Sequence, residues 1–292
     1  MKTILVATDF SEYADYAVKS AIAIANQAGS NLILLHVETI SSESESKSAD
    51  NDKPSAKIQK KLESIVKEYR IKNVKVLSKK NADVCKTIVK QAESLNADLI
   101  VMGAYGKNGI GKSFVGYNTE RVMVQAKMPL MIIKEKFNEF NIENIVVVSE
   151  FNDGIYKVYP KMKKTLDLFR ANIHLLSVNT PKQFQSTHES MKLMDKFCQK
   201  FDLKKCTQNT YNDQTIEEGV INFAKQIHAD LIAVTPDGFK RLTHLFNKNI
   251  TNELMKQPFK VILSMKTLKP VPNPTEFYFT DPESTTEELA KM

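Results

Sequence analysis

Three glycines and one aspartate are the residues whose types and spacing point to a binding site. The segment from Gly103 to Gly116 fits Gly-x2-Gly-x9-Gly, with Gly106 as the second glycine, and Asp9 follows an apolar run near the start of the chain. Glycine permits a positive φ and a close approach of backbone to ligand. The amides of a helix that begins after Gly116 would attract an anion. The spacing therefore predicts a phosphate-binding loop.

The residues around Gly116 extend this prediction. The amides of Gly116, Tyr117 and Asn118 would form an anion-binding nest. The side chains of Asn118 and Thr119 can cap the helix or bond a phosphate oxygen. Lys107 is a candidate charge partner for the phosphate, although solvated loop charge accounts for this lysine equally well.

The string from Gly106 to Ser113 also matches the P-loop pattern GxxxxGK[ST]. In a P-loop, a strand leads directly into the first glycine and a helix starts at the lysine, which is Lys112 here. The preceding strand is expected to end near Gly103, and Gly116 would interrupt a helix begun at Lys112. The string therefore favours a loop over the phosphates, with Lys112 as a second candidate charge partner.

Strand and helix patterns place these residues at one edge of a sheet. Ser11 is the expected N-cap of the first helix and Gly29 its end. Further helices are expected at about 55–69, 83–95 and 118–126. Between the helices, apolar runs rich in β-branched residues predict strands at Ile4–Ala7, Leu32–Val37, Val74–Leu77, Leu99–Met102 and Leu130–Ile133. This order implies a doubly wound parallel sheet, in which ligands bind beyond the carboxyl ends of the strands where the strand order reverses.

The second half of the chain repeats the first. Four segments match in the same order: Ile4–Phe10 with Ile145–Phe151, Asn31–Val37 with Asn172–Val178, Ala97–Met102 with Ala229–Val234, and Pro129–Ile133 with Pro258–Ile262. Four ordered matches indicate a duplication. The predicted fold class is α/β, with two tandem, doubly wound, five-stranded parallel-sheet domains at 1–137 and 142–266. Residues 267–292 form a proline-containing tail, interpreted as a flexible appendage or a docking segment.

The combination resembles a known family. Asp9 at the end of the first strand, the glycine spacing and the following Asn118–Arg121 resemble the ATP-binding type of universal stress protein, and the resemblance covers both copies over about residues 1–266. It implies a Rossmann-like fold of the adenine nucleotide alpha hydrolase type. The implied ligand is ATP or a related adenine nucleotide, with Mg²⁺ as a candidate companion. The backbone of Val37 would meet the adenine edge, and Asp9 would accept hydrogen bonds from the ribose or the adenine amino group.

The sequence departs from the family pattern in two places. Tyr117 stands where the family has Ser or Thr, so its ring would either crowd the phosphate or turn outward. In the second copy, Thr235, Gly238 and Lys248 occupy the three glycine positions, and Glu150 replaces the aspartate. The first copy is therefore expected to bind nucleotide. The second is expected to lack it and to act as a structural partner.

The resemblance implies a cytoplasmic role in stress response or signalling. The sequence shows no recognisable hydrolytic base, so a fast enzyme is not predicted. A nucleotide-free interaction protein and a slow ATPase are the two alternatives. Family members commonly pair through their last strands, so Leu130–Ile133 and Val261–Ser264 are expected to make a pseudo-dimer within the chain. A homodimer would then use other surfaces.

Composition bounds the remaining classes. The 292 residues are 42% hydrophobic and include 41 Lys and Arg against 34 Asp and Glu, a net charge of +7. This charge is scattered and gives little support to nucleic-acid binding. No apolar run reaches the roughly 18 residues of a membrane-spanning helix. The short apolar start that ends at Asp9 is not typical of a secretory signal, which favours the cytoplasm.

The cysteines and histidines suggest no metal or catalytic cluster. Cys85, Cys198 and Cys206 form no CxxC motif and are predicted to be free thiols. A zinc site built from Cys198, Cys206 and a distant histidine would have unusual spacing. The five histidines are isolated and are expected to be core or surface residues.

Overall fold

Ten strands of the chain form one mixed sheet with helices on both faces. The computed structural model describes residues 1–39, 55–106, 116–137, 139–235 and 260–266. The strands are β1 (Thr3–Ala7), β2 (Asn31–Glu38), β3 (Val74–Lys80), β4 (Leu99–Gly103), β5 (Leu130–Ile133), β6 (Asn144–Val148), β7 (Asn172–Asn179), β8 (Cys206–Asn212), β9 (Leu231–Val234) and β10 (Val261–Ser264). The helices are α1 (Glu12–Ala28), α2 (Ala56–Glu68), α3 (Val84–Ser94), α4 (Tyr117–Gln125), α5 (Asp153–Leu166), α6 (Thr187–Phe201) and α7 (Ile216–Gln226).

The strand order of the sheet shows the duplication directly. The order is β3-β2-β1-β4-β5-β10-β9-β6-β7-β8, so each half contributes five adjacent strands in the same relative order. All pairs within a half are parallel. The predicted α/β class is confirmed: each half is a doubly wound, parallel arrangement of five strands, and the two halves share one sheet. The domain boundaries stay a prediction, and the tail lies outside the described residues.

The two halves are joined through their last strands. β5 and β10 pair antiparallel, with Leu130 opposite Ser264 and Ile133 opposite Val261. The contact predicted between these segments within the chain is therefore confirmed. The connection between the halves also packs on the body: the Phe137 and Phe140 rings lie 4.7 Å apart, and Ile142 is buried.

Alternating apolar side chains give the sheet a core on each face. In β1, Leu5 and Ala7 face one core with residues of α3, α4 and α7. Ile4 and Val6 face the other core with residues of α1 and α5. Because both faces are covered, the strands appear in the sequence as continuous apolar runs. Among the described residues, no helix is long and apolar enough to cross a membrane.

The predicted ends of α1 are confirmed. The Ser11 hydroxyl accepts a hydrogen bond from the Ala14 amide, and Gly29 adopts the left-handed conformation with φ of 61°. Ser, as an N-cap, satisfies an amide that the first helical turn leaves without an internal partner. This cap starts α1 immediately after the loop that carries Asp9.

The outer strands differ most from prediction. β3 continues through Ser78 and Lys79 to Lys80, past the predicted end at Leu77. β8, the outer strand of the second half, is largely polar, and the sequence pattern did not predict it. An outer strand leaves one of its sides unpaired, so polar and charged residues are common there and the apolar signal is weak.

Candidate functional site

A cavity of about 520 Å³ opens at the carboxyl edge of the first five strands. β1 and β4 are adjacent there, and the chain leaves them in opposite directions along the sheet, towards β2 and β5. This is the point at which doubly wound sheets bind ligands. The cavity is lined by eight of the nine predicted binding residues: Asp9, Val37, Gly103, Gly106, Gly116, Tyr117, Asn118 and Thr119. The ninth, Lys107, lies outside the described residues, as does Lys112.

The loop after β1 holds Asp9 in a fixed turn. Phe10 has a left-handed φ of 63°, and its amide donates to the Thr8 hydroxyl at 3.1 Å. The Ser11 amide donates to Asp9 Oδ1 at 3.0 Å. A left-handed conformation is unusual for phenylalanine, so the turn is determined by these local hydrogen bonds. The turn presents the Asp9 carboxylate to the cavity.

The first two motif glycines are needed for space, not for a positive φ. Among the described glycines, Gly29 alone has a positive φ, so Gly103 and Gly106 do not use the positive φ that glycine permits. A Cβ on Gly103 would lie 2.5 Å from the Tyr13 carbonyl carbon of α1. A Cβ on Gly106 would lie 2.6 Å from Asp9 Oδ2. The close approach predicted at both positions is therefore to α1 and to Asp9.

The first turn of α4 forms the far side of the cavity. Gly116 is the N-cap residue, with φ −60° and ψ 149°, and no side chain caps the helix. The Gly116 amide donates to the Ala104 carbonyl at 2.6 Å. The predicted three-amide nest is thus wrong for Gly116, because this amide closes the loop against β4. The first-turn amides that follow it carry the partial positive charge of the helix start.

Thr119 has a structural contact in place of the predicted capping role. Its hydroxyl is buried and donates to the Gly103 carbonyl at 3.1 Å. The bond fixes the start of α4 to the end of β4. Asn118, one residue earlier, lines the cavity and is half-buried.

Tyr117 turns outward. It is 71% exposed, and the Arg121 guanidinium carbon lies 5.3 Å from the centre of its ring. Arg121 also bridges Asp83, the N-cap residue of α3, at 2.8 Å. The Arg121 guanidinium and then the Lys86 amide hold the pKa of Asp83 below its usual range. The bridge joins α3 and α4 beside the cavity, and the tyrosine ring does not fill the cavity.

The β2 side of the cavity is held by a histidine. His36 Nδ1 lies 2.7 Å from the Thr8 carbonyl oxygen, and its ring centre is 4.6 Å from that of Phe10. The register between β1 and β2 ends at Ala7 and Leu35. Val37 lies two residues beyond that pair and lines the cavity. His36 is buried, as expected for a core histidine, but its place beside the site was not predicted.

Sequence reasoning also missed the apolar wall. Val84, Ile88 and Met102 line the cavity. Val84 and Ile88 are one helical turn apart in α3, a spacing that marks one face of a helix and could have predicted the pair. Tyr105 lines the same cavity, and burial raises the pKa of its phenol to about 12, so it stays protonated near neutral pH. An apolar wall therefore forms part of the cavity beside the polar loops.

Comparison with known proteins finds relatives of the first half of the chain. Residues 1–134 match the model of the universal stress protein family. Two universal stress proteins of Methanocaldococcus jannaschii are each 29% identical, one over 162 residues covering 46% of this chain and 96% of the relative, the other over 147 residues covering 47% and 85%.

The first half of the chain is a universal stress protein domain. A crystal structure of a universal stress protein from Archaeoglobus fulgidus shares the fold with a TM-score of 0.69 at 17% identity. That similarity covers 91% of this chain and 96% of the other, so it includes both halves.

In the second half, neighbouring side chains hold the glutamate that stands at the position of Asp9. Glu150 Oε1 accepts from Gln183 Nε2 at 2.6 Å, and Oε2 accepts from Asn152 Nδ2 at 3.2 Å. Thr235, at the place of the first motif glycine, is fully buried. Its hydroxyl has no hydrogen-bond partner in the described part of the chain. Gly238 and Lys248 lie outside the described residues.

The P-loop alternative does not fit the described elements. β4 ends at Gly103, so the strand does not lead directly into Gly106. Gly116 has an extended backbone, which separates α4 from any helix begun at Lys112. The end of β4 is therefore not where a P-loop requires its strand to end, and residues 107–113 lie outside the described residues.

Proposed function

We propose that the first half binds ATP or a related adenine nucleotide in the cavity between β1 and β4. The observation that carries this proposal is that Asp9, the three motif glycines and Val37 line one cavity of about 520 Å³. They come from three separate segments of the chain, and only the fold brings them together. A cavity of this size is typical of small-molecule and cofactor sites.

In this proposal the phosphates bind at the first turn of α4. The helix start has no side-chain cap, so the amides of Tyr117 and Asn118 are the donors for a phosphate oxygen. The partial positive charge of the helix start adds to these hydrogen bonds. Lys107, which lies outside the described residues, is the proposed charge partner.

The nucleoside occupies the other end of the cavity. The Asp9 carboxylate accepts a hydrogen bond from a ribose hydroxyl, while its Oδ1 keeps the Ser11 amide. The adenine ring lies against the apolar wall of Val84 and Ile88, and its edge meets the backbone of Val37. One carboxylate at the ribose, one apolar wall and one helix start match the three chemical parts of a nucleotide.

A bound Mg²⁺ would rely on the phosphates. The described residues contain no group of three or more His, Cys, Asp or Glu side chains that could hold a metal ion. Mg²⁺ commonly takes one or two carboxylates together with substrate phosphates and water. Because the proposal places Asp9 at the ribose, a bound Mg²⁺ would be held by the phosphates and water.

The proposed role is nucleotide-dependent signalling in the cytoplasmic stress response. The first half would bind the nucleotide, and the second half, where Gln183 and Asn152 hold Glu150, would act as its structural partner. A fast enzyme is not proposed.

The proposal is tested by binding. Purified protein is denatured and the supernatant is chromatographed for released nucleotide, and ATP is then titrated calorimetrically into stripped protein. Asp9→Asn is compared with Glu150→Gln, which makes the same change at the matching position of the second half. We expect Asp9→Asn to weaken ATP binding and Glu150→Gln to leave it unchanged.

The other outcomes distinguish the alternatives. If neither released nucleotide nor heat of binding is found, the nucleotide proposal is wrong and the interaction protein is favoured. ATP hydrolysis above the uncatalysed background would favour the slow ATPase. Equal weakening by Asp9→Asn and Glu150→Gln would mean that Asp9 does not contact the nucleotide.

A further inference from the structure

Two cysteine sulfurs lie next to each other in the second half, away from the nucleotide cavity. Cys198 is near the end of α6, and Cys206 begins the outer strand β8. Their Sγ atoms are 3.0 Å apart. Both residues are half-buried, and both are free thiols. A disulfide bond is about 2.05 Å long, so the two sulfurs need to approach by about 1 Å to form one.

The surroundings assign different roles to the two thiols. Burial, together with the hydrogen bond to Cys198, holds the pKa of Cys206 well above its usual range. Cys206 therefore keeps its proton and can donate it towards the Cys198 sulfur. The side-chain amide nitrogen of Gln208 also lies 3.9 Å from the Cys198 sulfur. Because these two donors face its sulfur, Cys198 is assigned as the attacking sulfur and Cys206 as the sulfur that reacts second.

A metal site does not account for the pair. A structural zinc site takes four ligands. Among the residues that the structure describes, no third His, Cys, Asp or Glu completes a ligand group with these two sulfurs. The third cysteine, Cys85, is fully buried in the first half. The geometry therefore leaves a dithiol that can react within itself.

We propose that Cys198 and Cys206 form a reversible disulfide when the protein is exposed to a peroxide. The Cys198 thiolate attacks one peroxide oxygen, the O–O bond breaks, and hydroxide leaves, which gives a sulfenic acid on Cys198. The Cys206 sulfur then attacks the Cys198 sulfur, the S–O bond breaks, and the departing oxygen takes the Cys206 proton as water. Two thiols are oxidised to one disulfide, and one hydrogen peroxide is reduced to two waters.

The bond would connect α6 covalently to the outer strand of the sheet. Pairs of this kind in reducing compartments are typically transient and redox-sensing, because a cellular dithiol reduces them again. The site belongs to the half in which the nucleotide motif is altered. The second half would then respond to oxidant chemistry while the first responds to nucleotide, and the two proposals do not depend on each other.

The test treats the full-length reduced protein with hydrogen peroxide and counts its thiols after denaturation. We expect the three cysteines to fall to one free thiol. The intact mass should fall by two hydrogens, and dithiothreitol should restore it. A tryptic digest without reductant should join Phe197–Lys200 to Cys206–Lys225. This peptide is read from the unaltered chain, so the result does not depend on whether a variant folds.

Two serine variants test the assigned order of reaction. Cys206→Ser should leave a sulfenic acid on Cys198 that dimedone labels, whereas Cys198→Ser should give no label on Cys206. Cys85 is the internal control and should remain a thiol throughout. Retention of three thiols, a cross-link that includes Cys85, or a covalent dimer on a non-reducing gel would each overturn the proposal. Dimedone labelling of Cys206 in the Cys198→Ser variant would overturn the assigned attacking sulfur.

Discussion

Replacing Gly116 by aspartate separates phosphate binding from folding. Gly116 already has the backbone conformation of an N-cap residue. The nearest neighbour of an added Cβ is the Gly106 amide at 3.4 Å, which is ordinary contact. Aspartate is among the best N-cap residues, whereas glycine is somewhat poorer, and its charge favours the helix start. We expect the free energy of unfolding to stay the same or to rise by up to about 1 kcal/mol.

The same carboxylate should repel the nucleotide. It would occupy the first-turn amides that the proposal assigns to the phosphate. Two unit charges about 4 Å apart interact by about 4 kcal/mol at an effective dielectric constant of about 20. Since the cavity is open to solvent and salt, we take about 2.7 kcal/mol of this as effective, which is about 100-fold in Kd.

Gly116→Asn is the matched control. Asparagine caps a helix as well as aspartate does but carries no charge. The asparagine side chain should weaken ATP binding only by competing with the phosphate for the first-turn amides, which is worth about 1 kcal/mol or roughly fivefold in Kd. The assay is calorimetric titration of ATP into each variant at low and moderate salt, with urea unfolding as the stability measurement.

Two results would refute this reasoning. If Gly116→Asp binds ATP as tightly as the unaltered protein, the phosphates do not lie at the start of α4. If Gly116→Asn weakens binding as much as Gly116→Asp, the loss comes from occupancy of the site and not from charge. A loss of the unfolding transition in Gly116→Asp would contradict the expected fit of its side chain.

Three further predictions concern folding, pH and the outward tyrosine. Gly103→Ala should destabilise the protein by about 1–3 kcal/mol in urea unfolding, because the added Cβ meets the backbone of α1. Gly106→Ala should cost less stability, because its Cβ meets the end of the Asp9 side chain, but it should weaken ATP binding. Equal losses of stability in the two variants would contradict this prediction. Burial raises the pKa of Asp98, but hydrogen bonds from two backbone amides near the start of the chain outweigh it, so the net pKa is lowered. The ionised Asp98 therefore stabilises the folded protein above the unfolded pKa of about 3.9, and this stabilisation is lost as pH falls through the lower folded pKa. In Asp98→Asn, the free energy of unfolding measured in urea should depend less on pH below about pH 4. An unchanged dependence on pH in this range would refute the prediction. Tyr117→Ser, at a 71% exposed position, should change stability by less than about 0.5 kcal/mol and leave Kd for ATP no higher, whereas weaker binding would show that the ring contacts the nucleotide.

The sequence predicted the central strands and the site loops well, because burial on both faces makes these strands apolar. The run from Ile4 to Ala7, the cap at Ser11 and the end of β4 near Gly103 all followed from local pattern. The glycine spacing marked the segment between β4 and α4, and Asp9 marked the loop after β1. Pairing of the last strands followed from the family resemblance and is present in the structure.

The failures involve contacts that local pattern cannot show. The reason for glycine at 103 is the backbone of α1, about ninety residues away in sequence. The Gly116 amide is used by the Ala104 carbonyl, and the Thr119 hydroxyl by the Gly103 carbonyl. The contact between Cys198 and Cys206 depends on how α6 packs against an outer strand. Each needed the assembled fold.

Because the antiparallel contact between β5 and β10 lies within one chain, the two copies can differ in sequence and still pair. Two separate chains that met through these strands would need a sufficient concentration of each, and every mutation would appear on both sides. A short connection makes the encounter intramolecular, at an effective concentration on the order of millimolar. One copy can then lose its ligand chemistry and still supply the neighbouring strand. In this chain Glu150 and Thr235 have diverged, while Val261–Ser264 still completes the sheet.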